Sequence, residues 1–366
     1  MNLKIYSYLA QNFERPLLKK DHINLMLKSF LNSLYYYPLK LIVTITNLLY
    51  FKKIRVHGLK NIPKDGAVIY AITHQNSLLD AYLSNGFSWR SPYYLVRADI
   101  YKNKIIDKMM RGIRTLPVYR IRDGFDSIKK NDQIFDRTKD ILSCGGVVAL
   151  FPEGSHSMTH QVRPLKKGIA RMAFMAETAE DFNLNLKIVP IGIYYESYLD
   201  SNSRTLVSYG KPFGITEYKE RFLQDQNEAY RSMLSELSKR MKSLVVQIES
   251  ANYDRVYEKF QEKRVFKKRM LEQLESDQKL VHCIENDLPF EDTSDNVPLL
   301  HQMFDKAFSA IRRVVGYIPK FIVQKLAKKV VKDKNFLATV KYSFSLVIYP
   351  LFFLFAYFLI KIALNI

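Results

Sequence analysis

An imidazole at the end of an apolar run, with a carboxylate within reach, is the basic unit of a general base. The stretch YAITHQNSLLDAYL, Tyr70 to Leu83, supplies both groups in His74 and Asp80. A structural role competes for the aspartate, because Ser77-Leu78-Leu79-Asp80 fits the S-x-x-D/E pattern of a helix capping box. The two roles are compatible, since a carboxylate that caps a helix can still face an imidazole. Three further stretches collect polar or conformationally special residues where apolar strands end. In GIRTLPVYRIRDG, Gly112 to Gly124, Arg120 and Arg122 alternate along an expected strand and so share a face. Two guanidiniums on one face suit a phosphate, although solvated arginines on an edge strand would look the same. In VVALFPEGSHSMTHQVRPLKKG, Val147 to Gly168, a strand runs into Pro152 and then Glu153, Gly154 and Ser155. Glycine there permits close approach of backbone N–H groups to a ligand. Lys166 and Lys167 open the next helix, whose N-terminus favours an anion. In IVPIGIYYES, Pro190 interrupts a strand and Gly192 follows, a weak signal on its own.

The elements that must position these residues alternate along the chain. IRVHG, AVIYAIT, YYLVRA, LPVYRI, GVVALF, KIVPIGIYY and TLVSYG read as strands, rich in β-branched and aromatic residues. Helix-like segments such as LLDAYLSNGF, YKNKIIDKMMRGI and LKKGIARMAFMAETAEDF lie between them. The expected fold is therefore α/β, a mostly parallel sheet of about seven strands flanked by helices. In such sheets ligands bind where strands end and loops begin, which is where His74 falls. Residues 23–51 are apolar and broken by Pro38, and they read either as two helices lying in a membrane interface or as ordinary helices packed on a domain. Residues 216–280 read as helical, highly charged and free of Gly and Pro, followed by the acidic linker ENDLPFEDTSDNVP. The expected division is 1–52 membrane-associated helices, 53–215 α/β domain, 216–300 helical extension and linker, 301–341 basic amphipathic segment and 342–366 transmembrane segment.

Composition limits the partners. Lys and Arg number 56 against 36 Asp and Glu, a net charge of +20, which calls for an anionic partner. Two distant cysteines, Cys144 and Cys283, argue against a disulfide framework or a zinc site and for a reducing compartment. No secretory leader is visible in the first twenty residues. YSFSLVIYPLFFLFAYFLI, Tyr342 to Ile360, is uncharged over 19 residues and close to the length that spans a bilayer, with Pro350 leaving room for a kink or hairpin. Ahead of it, Ala307 to Lys341 carries nine Lys and Arg against Asp333 alone. Basic residues crowded at one end of a span mark its cytoplasmic side and attract anionic lipid. A nucleic-acid partner is disfavoured, because this charge abuts an apolar span and no recognition motif is present.

Taken together, HQNSLLD, LPVYRIRDG, FPEGS and IVPIG resemble the four sequence blocks of the glycerolipid acyltransferase family, in the family's order and over roughly residues 35–215. The resemblance implies an O-acyltransferase that moves a fatty acyl group from acyl-CoA or acyl carrier protein to glycerol-3-phosphate or a lysophospholipid, with lysophosphatidate favoured. It implies catalytic roles for His74 and Asp80. Arg120, Arg122, Glu153, Gly154, Ser155, Lys166 and Lys167 would bind the phosphate-bearing acceptor, and no metal or bound cofactor is required. Two departures stand out. The His-to-Asp spacing is one residue longer than the family's usual block. His156 also stands where an arginine is common, which leaves Arg163, Lys166 or Lys167 to supply the charge. The rival readings are a lipid hydrolase, disfavoured by the lack of G-x-S-x-G around Ser155, and a non-catalytic lipid-binding protein, which would leave His74, Asp80 and FPEGS idle.

Overall fold

A computed structural model of the chain describes residues 19–101, 103–120, 125–295, 299–331 and 336–363. The strands form one sheet: β1 (Lys53–His57), β2 (Val68–Ile72), β3 (Tyr93–Arg97), β4 (Thr115–Val118), β5 (Val147–Leu150), β6 (Lys187–Tyr195), β7 (Arg204–Tyr209) and the two-residue β8 (Phe213–Gly214). Their order is β1-β7-β6-β2-β5-β3-β4, with β8 beside β6. Only β6 with β7 and β6 with β8 pair antiparallel; the other neighbours run parallel. The α/β expectation of a mostly parallel sheet thus holds, with β8 as an eighth strand.

Helices cover both faces. α1 (Lys19–Tyr50), α2 (Leu78–Phe87), α3 (Lys104–Gly112), α4 (Phe125–Ser143) and α5 (Gly168–Thr178) precede or interleave with the strands. After β8 come α6 (Lys219–Gln224), α7 (Gln226–Lys242), α8 (Tyr253–Lys263), α9 (Met270–Glu285), α10 (Leu299–Val330) and α11 (Leu337–Ala363). Alternation along the central strands divides the core in two, because successive side chains point to opposite faces. Ile69, Ala71, Val148 and Leu150 pack with Ile169, Ala173 and Met233 from α5 and α7. Val68, Tyr70, Ile72 and Ala149 pack instead with Leu79 and Leu83 of α2, Tyr50 of α1 and Ala338 and Tyr342 of α11.

Several details depart from the sequence expectations. Residues 19–50 are one helix, with Pro38 inside it, rather than two. Proline removes one helical hydrogen bond, but tertiary contacts hold both sides of it to the same neighbour. Tyr36 Oη donates to Asn85 Oδ1 at 3.0 Å, and Lys40 Nζ donates to the Ser88 carbonyl at 2.7 Å. β4 stops at Val118, so Arg120 lies beyond the strand on which it was expected. Its partner β3 ends at the Arg97–Val118 pair, and the Asn131 side chain takes up both backbone groups of Tyr119 at 2.9 Å.

Nor is 216–280 one continuous helical run. The chain leaves the helix at 243–252, where Val245, Val246 and Ile248 are buried. This apolar segment clamps the loop after β5. The Ile248 N–H donates to the His160 carbonyl at 2.7 Å, and the Val162 N–H donates to Gln247 Oε1 at 2.7 Å. α8 and α9 then form a third cluster with Tyr194 and Leu206, closed by an Arg264–Asp277 ion pair at 2.7 Å. α11 starts five residues before the expected span, and Leu337–Leu359 is long and apolar enough to cross a membrane by length and composition.

Candidate active site

The sheet's parallel strands point their C-terminal ends to one edge, and the candidate residues gather there. His74 lies two residues beyond β2. Thr73 ties the strand end to β6: its N–H donates to the Ile191 carbonyl at 3.0 Å, and its Oγ1 accepts from the Ile193 N–H at 3.1 Å. The chain then turns at Ser77, with φ +52°, and enters α2. This turn takes up the additional residue of the His-to-Asp loop. His74 Nδ1 and Asp80 Oδ2 are 3.0 Å apart, and the aspartate is fully buried. The same Oδ2 accepts the Asn76 N–H at 2.8 Å. Ser77 makes no side-chain cap. Asp80 therefore both secures the loop ahead of the helix and holds the imidazole, and the capping box in its full form is absent.

The imidazole is fixed from three sides. Phe151, at the end of β5, stacks on it with ring centres 4.0 Å apart and planes 19° from parallel. The His156 ring meets it edge-on at 5.6 Å, and the Phe336 ring, just before α11, meets His156 at 4.8 Å. With Nδ1 occupied by Asp80, Nε2 is the nitrogen left for an incoming group.

The loop after β5 comes next. The Glu153 side chain turns inward and is 1 % exposed. Its Oε1 accepts the His74 N–H at 2.8 Å, while Oε2 accepts from the Arg163 N–H at 3.2 Å and Nε at 3.0 Å. Burial pushes the Glu153 carboxyl above its usual range, against the pull of these donors. Glu153, expected to bind acceptor, thus has both oxygens committed to holding the loop. Arg163, expected to supply charge to a ligand, is engaged with Glu153 and with Ser155, donating from Nη1 to Ser155 Oγ at 2.8 Å and from Nη2 to the Ser155 carbonyl.

Gly154 has φ +77°, a region that suits glycine, and it is exposed. Lys166 crosses directly beneath it: a Cβ built on Gly154 would lie 3.2 Å from Lys166 Cγ. The Lys166 N–H donates to the Pro152 carbonyl at 2.7 Å, which closes the loop. Lys167 follows, exposed, as the residue that precedes α5. From the end of β4, Arg120 Nη2 reaches the Gly154 carbonyl at 3.4 Å. Arg122 lies outside the described residues. Half-buried Arg120 and exposed Gly154, Ser155 and Lys166 therefore lie together on a basic rim, with exposed Lys167 next in the chain.

Residues that the sequence did not single out complete the site. Tyr195, the last residue of β6, donates from Oη to Asp80 Oδ1 at 2.7 Å. Tyr198 presents its carbonyl to Asn76 Nδ2 at 2.9 Å. Thr339 of α11 donates from Oγ1 to the Asn76 carbonyl at 3.4 Å. The double tyrosine of IVPIGIYYES was the available signal for Tyr195. Nothing in the sequence joins Thr339 to residue 76. Among the described residues no group of three or more His, Cys, Asp or Glu is arranged to hold a metal.

Comparison with known proteins follows the same lines. Residues 53–194 match the family model described as Acyltransferase. The chain is 25% identical over 138 residues to glycerol-3-phosphate O-acyltransferase 2 of Saccharomyces cerevisiae, covering 37% of this chain and 17% of that protein. It is 27% identical over 124 residues to the 1-acyl-sn-glycerol-3-phosphate acyltransferase of Bacillus subtilis, covering 34% and 58%. It is also 32% identical over 128 residues to the chloroplastic 1-acyl-sn-glycerol-3-phosphate acyltransferase LPAT1 of Arabidopsis thaliana, covering 34% and 33%. In each case the match spans less than two thirds of the relative's own length. Among solved structures, the 1-acyl-sn-glycerophosphate acyltransferase PlsC of Thermotoga maritima aligns with a TM-score of 0.42 at 18% identity, covering 65% of this chain and 92% of that one. Residues 53–194, the stretch that matches the Acyltransferase family model, hold the His74–Asp80 pair and the Phe151-Pro152-Glu153-Gly154 turn.

Proposed function

We propose that the chain is a membrane-bound enzyme that transfers a fatty acyl group from an acyl thioester to the hydroxyl of a phosphate-bearing glycerol acceptor, lysophosphatidate in preference to glycerol-3-phosphate. The observation that carries this reading is the His74–Asp80 pair, 3.0 Å apart and opening beside a basic rim. His74 Nε2 takes the proton of the acceptor hydroxyl as that oxygen attacks the thioester carbonyl carbon. The tetrahedral adduct collapses, the C–S bond breaks, and the imidazolium returns the proton to the departing thiolate. Asp80 orients the ring throughout. Arg120, Lys166 and Lys167, with the exposed Gly154–Ser155 backbone, draw the acceptor phosphate to the mouth of the site. No metal or bound cofactor enters this scheme; acyl-CoA or acyl carrier protein is the co-substrate.

The surroundings support a lipid setting. α1 exposes Leu34, Tyr37, Leu41, Ile45 and Leu48, and the outer half of α11 exposes Leu351, Leu354, Phe355 and Phe358. The Lys-rich end of α10 carries Lys325, Lys328 and Lys329 on exposed positions, which suits anionic headgroups on the cytoplasmic side. The test is acyl transfer by membranes that contain the protein. Glycerol-3-phosphate and lysophosphatidate are offered in parallel, each with acyl-CoA or acyl carrier protein, and products are identified by mass. Acylation of lysophosphatidate, lost in His74→Ala, is the expected result. Release of free fatty acid instead would make the protein a hydrolase. No turnover with any pair, together with retained binding to anionic vesicles, would leave lipid binding as its role.

A further inference from the structure

We infer that Tyr195 is a positioning residue of this site, holding Asp80 so that its other oxygen meets the His74 imidazole; the inference rests on the acyl-transfer reading above. β6 makes this possible by outrunning its parallel neighbour. β2 stops at Ile72, paired with Ile191, whereas β6 continues to Tyr195 along antiparallel β7. The four additional residues carry the phenol past the strand end and alongside the loop that bears His74.

Tyr195 is buried, at 1 % exposure, and its ring packs near Phe51 and Tyr198 at 6.4 and 5.6 Å. Its one hydroxyl points at Asp80 Oδ1, 2.7 Å away. The two oxygens of Asp80 are thereby divided. Oδ1 serves the phenol, while Oδ2 serves the Asn76 N–H at 2.8 Å and His74 Nδ1 at 3.0 Å. A carboxylate gripped through one oxygen alone could rotate about its Cβ–Cγ bond and exchange the oxygen offered to the imidazole. The phenol removes that freedom, since rotation would break a hydrogen bond in a fully buried place where no water can replace it. Burial first, and then the neighbouring carboxylate, hold the Tyr195 phenol well above its usual titration range, so it is a hydrogen-bond donor at every working pH. Tyr195 does not touch substrate. It acts through Asp80, and Asp80 through His74.

The discriminating variant is Tyr195→Phe, which removes one oxygen and keeps the buried ring. With acyl-CoA and lysophosphatidate, kcat is expected to fall about tenfold while KM for the acceptor stays within twofold. The same change in an Asp80→Ala background is expected to cost less than twofold, because the group through which it acts is gone. In ¹⁵N-histidine-labelled protein in detergent, the His74 ring resonances, assigned by their loss in His74→Ala, are expected to shift and broaden in Tyr195→Phe. The other histidines should stay in place. An unchanged His74 spectrum overturns the inference whether or not turnover is observed. An equal loss in the Asp80→Ala background overturns it too, as does a parallel change in kcat and KM. Failure of the wild-type protein to transfer acyl groups would instead remove the acyltransferase reading and leave the His74 spectrum to decide the role of Tyr195.

Discussion

Glu153 Oε1 accepts the backbone N–H of His74 at 2.8 Å, so the loop after β5 holds the backbone at the start of the loop after β2. The same carboxylate is paired with Arg163 at 3.0 Å, their side chains 1 % and 23 % exposed. Removing the arginine leaves a buried carboxylate without its counter-charge, which costs about 3 kcal/mol or more. Arg163→Ala is therefore expected to lower the unfolding midpoint of detergent-solubilised protein by several degrees. Arg163→Lys should recover only part, because a single ammonium cannot serve Glu153 and both Ser155 acceptors at once. Equal stability of Arg163→Ala and wild type would show that the pair bears no weight.

Gly154 tests the rim. At φ +77°, an alanine is strained by about 1 kcal/mol, and its Cβ would press on the Lys166 stem from 3.2 Å. Gly154→Ala should raise KM for the phosphate-bearing acceptor about tenfold with little change in stability. Assays at saturating acyl-CoA and varied acceptor would read this. A loss confined to kcat would move Gly154 from acceptor binding to the chemical step.

His160 gives the fold an acid-sensitive point. Its ring is enclosed by Tyr198, Tyr257 and Phe260, and Nδ1 lies 3.2 Å from Tyr198 Oη. Burial, helped by the nearby Arg264, lowers its titration from 6.5 to about 3. The unfolded chain thus takes up a proton near 6.5 that the folded one refuses, so stability is full above that pH and falls as pH drops towards 3. The slope contributed is at most about 1.4 kcal/mol per pH unit. His160→Gln should flatten the fall in unfolding midpoint between pH 6.5 and 4. Parallel curves for variant and wild type would place the acid sensitivity elsewhere.

Tyr342 joins α11 to the sheet's cover. Its single hydroxyl hydrogen is shared between Asn47 Oδ1 at 2.5 Å and the Val43 carbonyl at 3.1 Å, and its ring stacks on Tyr82 at 5.0 Å. Tyr342→Phe should cost about 1–3 kcal/mol from the unpaired polar groups, and Tyr342→Ala about 3–5 kcal/mol from the cavity. Both variants are expected to stay with the membrane fraction while losing thermal stability. Loss of membrane association with unchanged stability would reverse the order of these roles.

The seven strands were legible because each is a short β-branched or aromatic run, and an uninterrupted apolar run such as AVIYAIT fits a strand covered on both faces. His74 and Asp80 were legible as a pair because few roles explain both groups at a strand end. Arg120 was misread as a strand residue, and Arg122 lies outside the described residues. Where β4 ends depends on where β3 ends and on Asn131, and neither is written in LPVYRIRDG. Arg163 was assigned to a ligand rather than to Glu153, and Tyr195 was missed, for a related reason. Their partners lie 10 and 115 positions away, and the link between them exists only once the strands are in register. A 23-residue apolar helix, Leu337–Leu359, has the same composition in lipid as against protein. Only packing shows that its first turns belong to the layer over β2.

That packing has a consequence for how the molecule is made. Asn47 and Tyr342 are 295 positions apart, yet one hydrogen bond joins them. During synthesis α1 and α2 must wait uncovered while the sheet and its extension emerge, and closing a contact of such span is slow. On the membrane-bound reading proposed above, α11 leaves the ribosome with two destinations, the bilayer for its outer half and Tyr50, Tyr82 and Asn47 for its inner half. A helix drawn wholly into lipid would leave the layer over β2 open. Insertion and completion of the fold would then be one event, the timing of one setting the yield of the other.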